Sequence, residues 1–563
     1  MEAILNNILE LVLNTLNIKY EKNTKLVQIS NRKDLCDYQS NIAFSIAKQI
    51  GNTPKDVAKT ICDELTKDNR FSDVSVAGAG FINIKLSENF IAEYVNNLFI
   101  HPELRINKTE NPKTVIIDFG GYNIGKDLHI GHIRSTILGE TVARIYRAKG
   151  DKVISDVHLG DWGKPMGLII TEIRERGLAE SGVTLENLST IYPAASEKAK
   201  KDPEFNERAL QATNDLQNGD PDATRIWRQF TDLSISKAKE LVNILNAHFD
   251  VWYGESTADK AAKEIVAKWK SDGTAVLDNG AYIITLSPDD ANGKKLPPVI
   301  IEKTNGGLMY ASTDFGTLIN RVDTWNPDEI LYFTDNRQIM YFDQIFAAAY
   351  KTGIVDKNKT LLKHFPFGPI CGSDGKPLKS RDGGSVKLSD VTDEAIEKGI
   401  KKLENKNFTD EEKNKIGSSV GIACLKFADL MNDLTQSYIF NLDKATASEG
   451  KTAAYILYAI VRINSILNKS SKENLKNKIA IAKTDTEKKL QLQLARISDV
   501  IDQTYLTKKP HILCEYLFEL AQIFNTFYAS NEILNKNENI ALLTKEIMEL
   551  VCNLLGLPIV EKM

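Results

Sequence analysis

The chain reads as a multi-domain protein built on a doubly wound parallel α/β core, with a small α+β domain ahead of it and an all-α bundle behind it. Three observations give this class. The apolar run VIIDFGG (115–121) stops at glycines and is followed by an amphipathic helix from about 131 to 148, closed by Gly150, and then by a second strand, KVISDVHL (152–159). Strand, glycine-bearing loop, helix and strand form the opening unit of a Rossmann-type nucleotide-binding sheet. Upstream, VSVAGAGFINIKLS (74–87) alternates like a strand after a glycine turn. Downstream, from about 415, helical periodicity runs almost without glycine or proline until LGLP (555–558).

Taken in order, residues 1–108 hold an amphipathic helix, further helical stretches around 40–66 and the alternating segment, and make the α+β domain. Residues 109–415 make the core domain. It begins after the polar stretch NKTENPKT and carries a helical, charged insertion at about 165–300. The apolar segments EILYFT (329–334) and GPICG (368–372) supply its later strands, and a loop dense in Gly and Lys follows at 376–386. Residues 416–563 make the helical bundle.

Length and composition support this division. At 563 residues the chain exceeds what one core of ~100–200 residues can organise. With 42% apolar and 26% charged residues it should fold throughout. A net charge of −4 gives no bulk cationic field, so a polyanion would have to be held by local basic patches. Six scattered cysteines without a CxxC pair suggest neither a zinc knuckle nor a disulfide framework. No apolar run reaches the ~20 residues of a membrane span, and the N-terminal helix is broken by Asn and Glu. We expect a cytoplasmic protein with no membrane association.

The chemistry concentrates in KDLHIGHIRS (126–135). His129 and His132 lie three apart, but no further Cys, His or carboxylate stands nearby at ligand spacing, so a metal site is not expected. Two structural histidines would be the ordinary reading of HxxH. Here the pair opens the helix after the first strand, where N–H groups and the helix dipole favour phosphate. Imidazole donors there can stabilise charge on a transferring phosphoryl group, and Gly131 leaves room for a purine. The stretch reads as an ATP site.

The tetrapeptide HIGH is identical to the signature of class I aminoacyl-tRNA synthetases, although HxGH also occurs in small nucleotidyltransferases. NIGKDLHIGHIRSTILGE with VHLGDWGKPMG resembles the arginyl-tRNA synthetase family closely. So do YASTD (310–314), GKPLKSRDGGSVKL (375–388), SEGKTAAYILYAIVRI (448–463), VAGAGFINI (76–84) and the terminal LGLPIVEKM. The likeness covers nearly the whole chain.

The resemblance implies roles for particular residues. The second class I signature, KMSKS, is missing; at its place stands LKSRD (378–382), so Lys379 and Arg381 are the available cations. Members of this family commonly carry a lysine ahead of HIGH instead, and Lys126 matches it. Gly160 and Asp161 join His129, Gly131 and His132 as ATP-binding positions. Glu255, Tyr310 and Asp314 match guanidinium contacts, Asn123, His132 and Gln338 match holders of the substrate's amino and carboxylate groups, and Asp118 matches an acidic position near them. A planar guanidinium with five donors needs carboxylates and aromatic faces, and Tyr310 and Asp314 share a face if their segment is helical. Tyr455, Tyr458 and Arg462, at i, i+3 and i+7, match anticodon-facing positions, with Tyr516 and Met563 as further matches. Two departures stand out: Gly121-Tyr122 replaces the usual Ser-Pro, and Tyr341 replaces a histidine.

The implied reaction is ATP-dependent activation of arginine to the adenylate and transfer to tRNA, with Mg²⁺ on the phosphates and activation dependent on tRNA. The implied partners are L-arginine, ATP and tRNA(Arg), with no DNA, and the implied state is a monomer. Another nucleotidyl-transfer enzyme would not need the bundle with its aromatic face. A non-catalytic RNA-binding relative would lack some of Lys126, His129, His132 or Asp314, all of which are present.

Overall fold

A computed structural model describes residues 1–20, 25–32, 34–304, 306–378, 386–470, 478–534 and 536–563. The N-terminal part packs helix α1 (Glu2–Thr15) and its successors on an antiparallel sheet of β1 (Gln28–Ile29), β2 (Tyr38–Ser40), β3 (Phe71–Ala77) and β4 (Phe81–Leu86), in the order β1-β2-β4-β3. The alternation read at 74–87 belongs to the β3–β4 hairpin, in which Ile82, Ile84 and Leu86 face inward.

The core sheet is parallel throughout. Its strands are β5 (Thr114–Asp118), β6 (Lys152–Asp156), β7 (Glu329–Tyr332) and β8 (Leu361–His364), in the order β8-β7-β5-β6. The central strands are apolar on both faces, with Val115, Ile116, Ile117 and all of β7 buried, as a sheet covered by helices requires. Helix α2 (Ile130–Lys149) links β5 to β6 and is buried along almost its whole length. It lies close to the loop after β5 because Gly139 has no side chain: a Cβ there would stand 2.2 Å from Phe119 Cγ. Gly150, at φ 102°, ends the helix in the left-handed conformation that glycine tolerates best.

One strand expectation needs correction. Ile370–Cys371, within GPICG, does not join the core sheet; it pairs in parallel with Tyr438–Ile439. The fourth core strand is β8, LLKH, an edge strand with only Leu362 fully buried. A strand burying one residue in four leaves little apolar signal, whereas a run between glycines draws the eye.

Within 165–300 the chain forms helices from Lys164 to Ile244 and then returns to the sheet. Val251 bridges to Asp156 and Gly254 to Leu159, which brings helix α3 (Glu255–Asp272) to the edge of the core. A three-stranded antiparallel sheet (276–302) precedes helix α4 (Tyr310–Trp325), and α5 (Ile339–Lys351) follows β7. The C-terminal part is helical: α6 (Asp410–Leu430), α7 (Ala453–Leu467), α8 (Asp485–Ala495), α9 (Ile497–Thr507), α10 (His511–Ser530) and α11 (Glu538–Leu554). Arg134 of α2 ties the two parts together, donating to the carbonyls of Gly368, Asp433 and Gln436 at 2.8–3.1 Å. The six cysteines are buried and unpaired, and no helix among the described residues is long and apolar enough to cross a membrane.

Candidate active site

The first half of the site is the N-terminus of α2. His129 is its N-cap: its Nδ1 accepts the Gly131 N–H at 3.1 Å, while His132 Nδ1 accepts the His129 N–H at 3.0 Å. The rings stack with centroids 3.9 Å apart. Burial, His129 and Lys126 hold the His132 pKa down at about 3, and burial, Arg337 and Lys126 lower that of His129. Two neutral imidazoles with Nδ1 used as acceptor carry their protons on Nε2. The cap therefore carries two Nε2–H donors, while the first amides of the helix are already bonded: Ile130 N–H to Val386 O, Gly131 N–H to His129 Nδ1 and His132 N–H to His129 O.

Tyr122, where the usual pattern has proline, is buried, with its hydroxyl 2.7 Å from Thr136 Oγ1 and its ring edge-on to His132. Lys126 is exposed and lies 4.5 Å from the ring centroid of Tyr192 in the helical insertion. Lys379 and Arg381 lie outside the described residues. The chain that follows them is docked beside the cap: Ile130 N–H donates to Val386 O at 2.9 Å and Leu388 N–H to Leu128 O at 2.8 Å.

The second half lies at the C-terminal ends of β5 and β6. Asn123 bridges to Gly160, where a Cβ would stand 2.6 Å from Asn123 Oδ1, so glycine is what allows this approach. Asp161 Oδ1 accepts the Ser256 N–H (2.9 Å) and its Oδ2 the Ser256 hydroxyl (2.5 Å), and it is buried against Gly254. Both oxygens bond to Ser256 at the start of α3, next to Glu255.

Asp118 also needs correction. It ends β5 opposite Asp156 of β6, and Arg321 Nη2 lies 2.6 Å from an oxygen of each, while Arg321 Nη1 donates to Tyr332 Oη at 3.1 Å. Asp118 thus holds an internal guanidinium and is buried with it.

Beside this cluster α3 and α4 face each other. Tyr310 is 60% exposed at the first turn of α4, and Asp314 follows one turn on with a side chain 29% exposed. Glu255 opens α3, and burial, Asp314 and Asp161 push its pKa up to about 8. Burial also raises Asp314, opposed by His158 and by the Tyr341 hydroxyl, which donates to it. Among the described residues neither carboxylate is ion-paired to a lysine or arginine. Gln338 stands exposed just before α5, with no side-chain bond described.

Sequence reasoning passed over Asp156, His158, Arg321 and Tyr192. Two had readable signals: β5 and β6 both end in Asp, and Tyr310, Asp314 and Arg321 fall at i, i+4 and i+11, one stripe of a helix.

On the helical domain, Arg462 lies over the rings of Tyr458 (4.9 Å) and Tyr528 (5.1 Å) and donates to Asn525, whose amide donates to Tyr455 Oη at 2.8 Å. Tyr458 is 48% exposed. Tyr516 is not part of this face: it is 4% exposed and its hydroxyl is taken by Gln493 O, because position 516 turns into the bundle. Met563 is partly buried on the core, next to Lys562, which pairs with Glu412 at the start of α6.

Comparison with known proteins adds three matches to family models. Residues 94–442 match tRNA synthetases class I (R), catalytic domain; 456–563 the DALR anticodon binding domain; and 2–86 the arginyl tRNA synthetase N terminal domain. Arginine–tRNA ligases of Alkaliphilus oremlandii and Agathobacter rectalis are 37% and 38% identical, each over 97% of both chains. The crystal structure of arginyl-tRNA synthetase from Plasmodium falciparum superposes with a TM-score of 0.84 at 25% identity, over 100% of this chain and 99% of that one. The arginyl-tRNA synthetase of Thermus thermophilus, 19% identical, shares the fold with a TM-score of 0.81 over the full length of both.

Proposed function

The chain belongs to the arginyl-tRNA synthetase family of class I tRNA synthetases, and from that premise we propose how its residues divide the work of an arginine–tRNA ligase. The reaction joins L-arginine to ATP as arginyl-adenylate, then moves the arginyl group to the terminal ribose of tRNA(Arg). In the first step a carboxylate oxygen of arginine bonds to the α-phosphorus, and the bond to the β-phosphate breaks to release pyrophosphate. In the second a ribose hydroxyl attacks the acyl carbon and AMP leaves.

The observation that carries the residue assignment is the pair Glu255 and Asp314, two partly enclosed carboxylates without a cationic side chain between them, next to the exposed ring of Tyr310. A guanidinium supplies the missing charge and its planar fork matches two carboxylates. Asn123, His132 and Gln338 hold the amino and carboxylate groups. The Nε2–H groups of His129 and His132 donate to the phosphates, Gly131 gives the purine access, and Lys126, Lys379 and Arg381 supply phosphate charge. No covalent nucleophile is required; positioning and preorganised donors suffice.

Among the described residues no group of three or more His, Cys, Asp or Glu side chains could cage a metal. Mg²⁺ would enter with the ATP phosphates, whose charge it neutralises. Tyr455, Tyr458 and Arg462 offer aromatic and guanidinium planes to unstacked anticodon bases. The setting is the cytoplasm and the active form is a monomer.

ATP–pyrophosphate exchange with each amino acid, with and without tRNA, tests the assignment. Arginine alone should support exchange, and little should occur without tRNA. Exchange driven by another amino acid would overturn the reading, whereas vigorous exchange without tRNA would overturn only the tRNA requirement.

A further inference from the structure

His158 sits between the two halves of this site in a conformation that needs explaining. Its φ is +39°, in the left-handed region that costs a non-glycine residue on the order of 1 kcal/mol or more. Among the described residues neither ring nitrogen has a hydrogen-bond partner, and both are shielded from solvent. A buried imidazole left so is costly unless something else holds it there. The groups around it are Asp118 from the end of β5, Asp156 from β6, Asp161 from the following loop and Asp314 from α4, with Nε2 3.8 Å from Asp314 Oδ1. Asp156, Asp118 and Asp161 are already bonded to Arg321 or Ser256. On Asp314, among the described residues, the Tyr341 hydroxyl alone is hydrogen-bonded.

We infer that His158 is the resident counterion of the arginine pocket: its imidazolium neutralises Asp314 while the pocket is empty and gives up that role, with its proton, to the guanidinium of the substrate. His158 is on this view a positioning residue for specificity. A pocket holding a bare buried carboxylate would either collapse or protonate the acid itself, and a fixed lysine or arginine would compete with the substrate permanently. A histidine is the cation that can leave, because it becomes neutral by losing a proton to water near neutral pH. Tyr341 fits the same scheme: its hydroxyl donates to Asp314 without adding charge. A neutral side chain of the same shape, such as citrulline's, would enter without discharging the histidine.

The inference rests on the arginine pocket proposed above, and the test separates the two. The full chain has seven histidines, few enough to label at Cε1 and resolve by NMR; the resonance lost in His158→Asn assigns His158, since asparagine tolerates the left-handed backbone. At constant pH, saturation with L-arginine should move the His158 resonance from the imidazolium towards the neutral-ring position, while citrulline leaves it in place. Intact remaining resonances in the variant show that it is folded. Arginine binding that leaves the His158 charge state unchanged, or citrulline discharging it as fully as arginine, would overturn the inference. Failure of arginine to bind at all would instead overturn the pocket.

Discussion

The two ends of the active site treat their polar groups in opposite ways. At the end proposed for the nucleotide, each histidine is fixed by a backbone N–H: His129 caps α2, His132 caps His129, and burial lowers the pKa of both. At the amino-acid end, Glu255 and Asp314 are partly enclosed and, among the described residues, paired with no lysine or arginine, and burial beside Asp314 and Asp161 pushes the Glu255 pKa up to about 8. The first arrangement is preorganised, so donors wait where charge develops and nothing rearranges during the reaction. On the assignment proposed above, the second lacks a permanent cation: His158 stands in while the pocket is empty, and the substrate guanidinium replaces it. The difference teaches that rate and specificity are stored differently in one site: one as satisfied geometry, the other as unsatisfied charge.

The most direct way to break this contrast is Asp314→Asn. Losing one member of a desolvated charge pair costs about 2–5 kcal/mol, so kcat/KM for arginine should fall by roughly 30-fold to several thousand-fold. KM for ATP and tRNA affinity should hold, and use of citrulline should fall much less than use of arginine. Equal losses for arginine and citrulline, or a failure of ATP binding, would make Asp314 a structural residue.

At the other end, His132→Asn keeps an acceptor for the His129 N–H but removes the Nε2–H donor. Adenylate formation should drop by about 10²–10³-fold, and Lys126→Ala should cost at least about 10²-fold in the same assay with arginine affinity unchanged. Near-normal activation in either would return that residue to a structural or merely solvated role.

Away from both ends, Tyr458→Ala removes an exposed stacking surface worth about 1–3 kcal/mol. Filter binding should show tRNA affinity weakened by about 5- to 150-fold with little change in adenylate formation. Tyr516→Phe is its control. It loses one buried hydrogen bond, so thermal unfolding should register about 1 kcal/mol while tRNA affinity stays put.

The pH dependence sharpens the comparison further. Because the empty pocket raises Glu255 to about 8, a guanidinium binding the ionised form must expel its proton below that pH. Arginine affinity should then rise by up to about tenfold per pH unit up to about pH 8 and level off above it, while KM for ATP shows no such slope. The same raised value means that burial of Glu255 is least costly to the fold at pH below its unfolded value near 4.5, and that the penalty grows as pH climbs towards 8.

Much of this was legible in the sequence, unevenly and for physical reasons. The β5–α2–β6 unit announced itself because a buried parallel strand is a continuous apolar run and a glycine must stand where helix and strand touch. Strand β8 did not, since an edge strand with a single fully buried residue has no pattern to show. In the site, Glu255, Tyr310 and Asp314 were named from motif likeness, and the α4 stripe made two of them neighbours. Asp118 and Asp161 were named with them but are occupied by Arg321 and Ser256, partners 203 and 95 residues away along the chain. His158 went unremarked because strain and missing hydrogen bonds leave no trace in residue order.

Arg321 carries one more consequence. Clamped between two aspartates and a tyrosine hydroxyl, it is a guanidinium recognised much as the substrate is, made part of the chain by translation. Any arginine mimic that slips past the pocket is delivered to the ribosome as arginine and reappears at position 321 of newly made copies, where a weaker base or a shorter fork grips its two carboxylates less well. Errors of discrimination are thereby written into the interior of the next generation of the same molecule, and a lapse in fidelity lowers the stability of the protein that committed it.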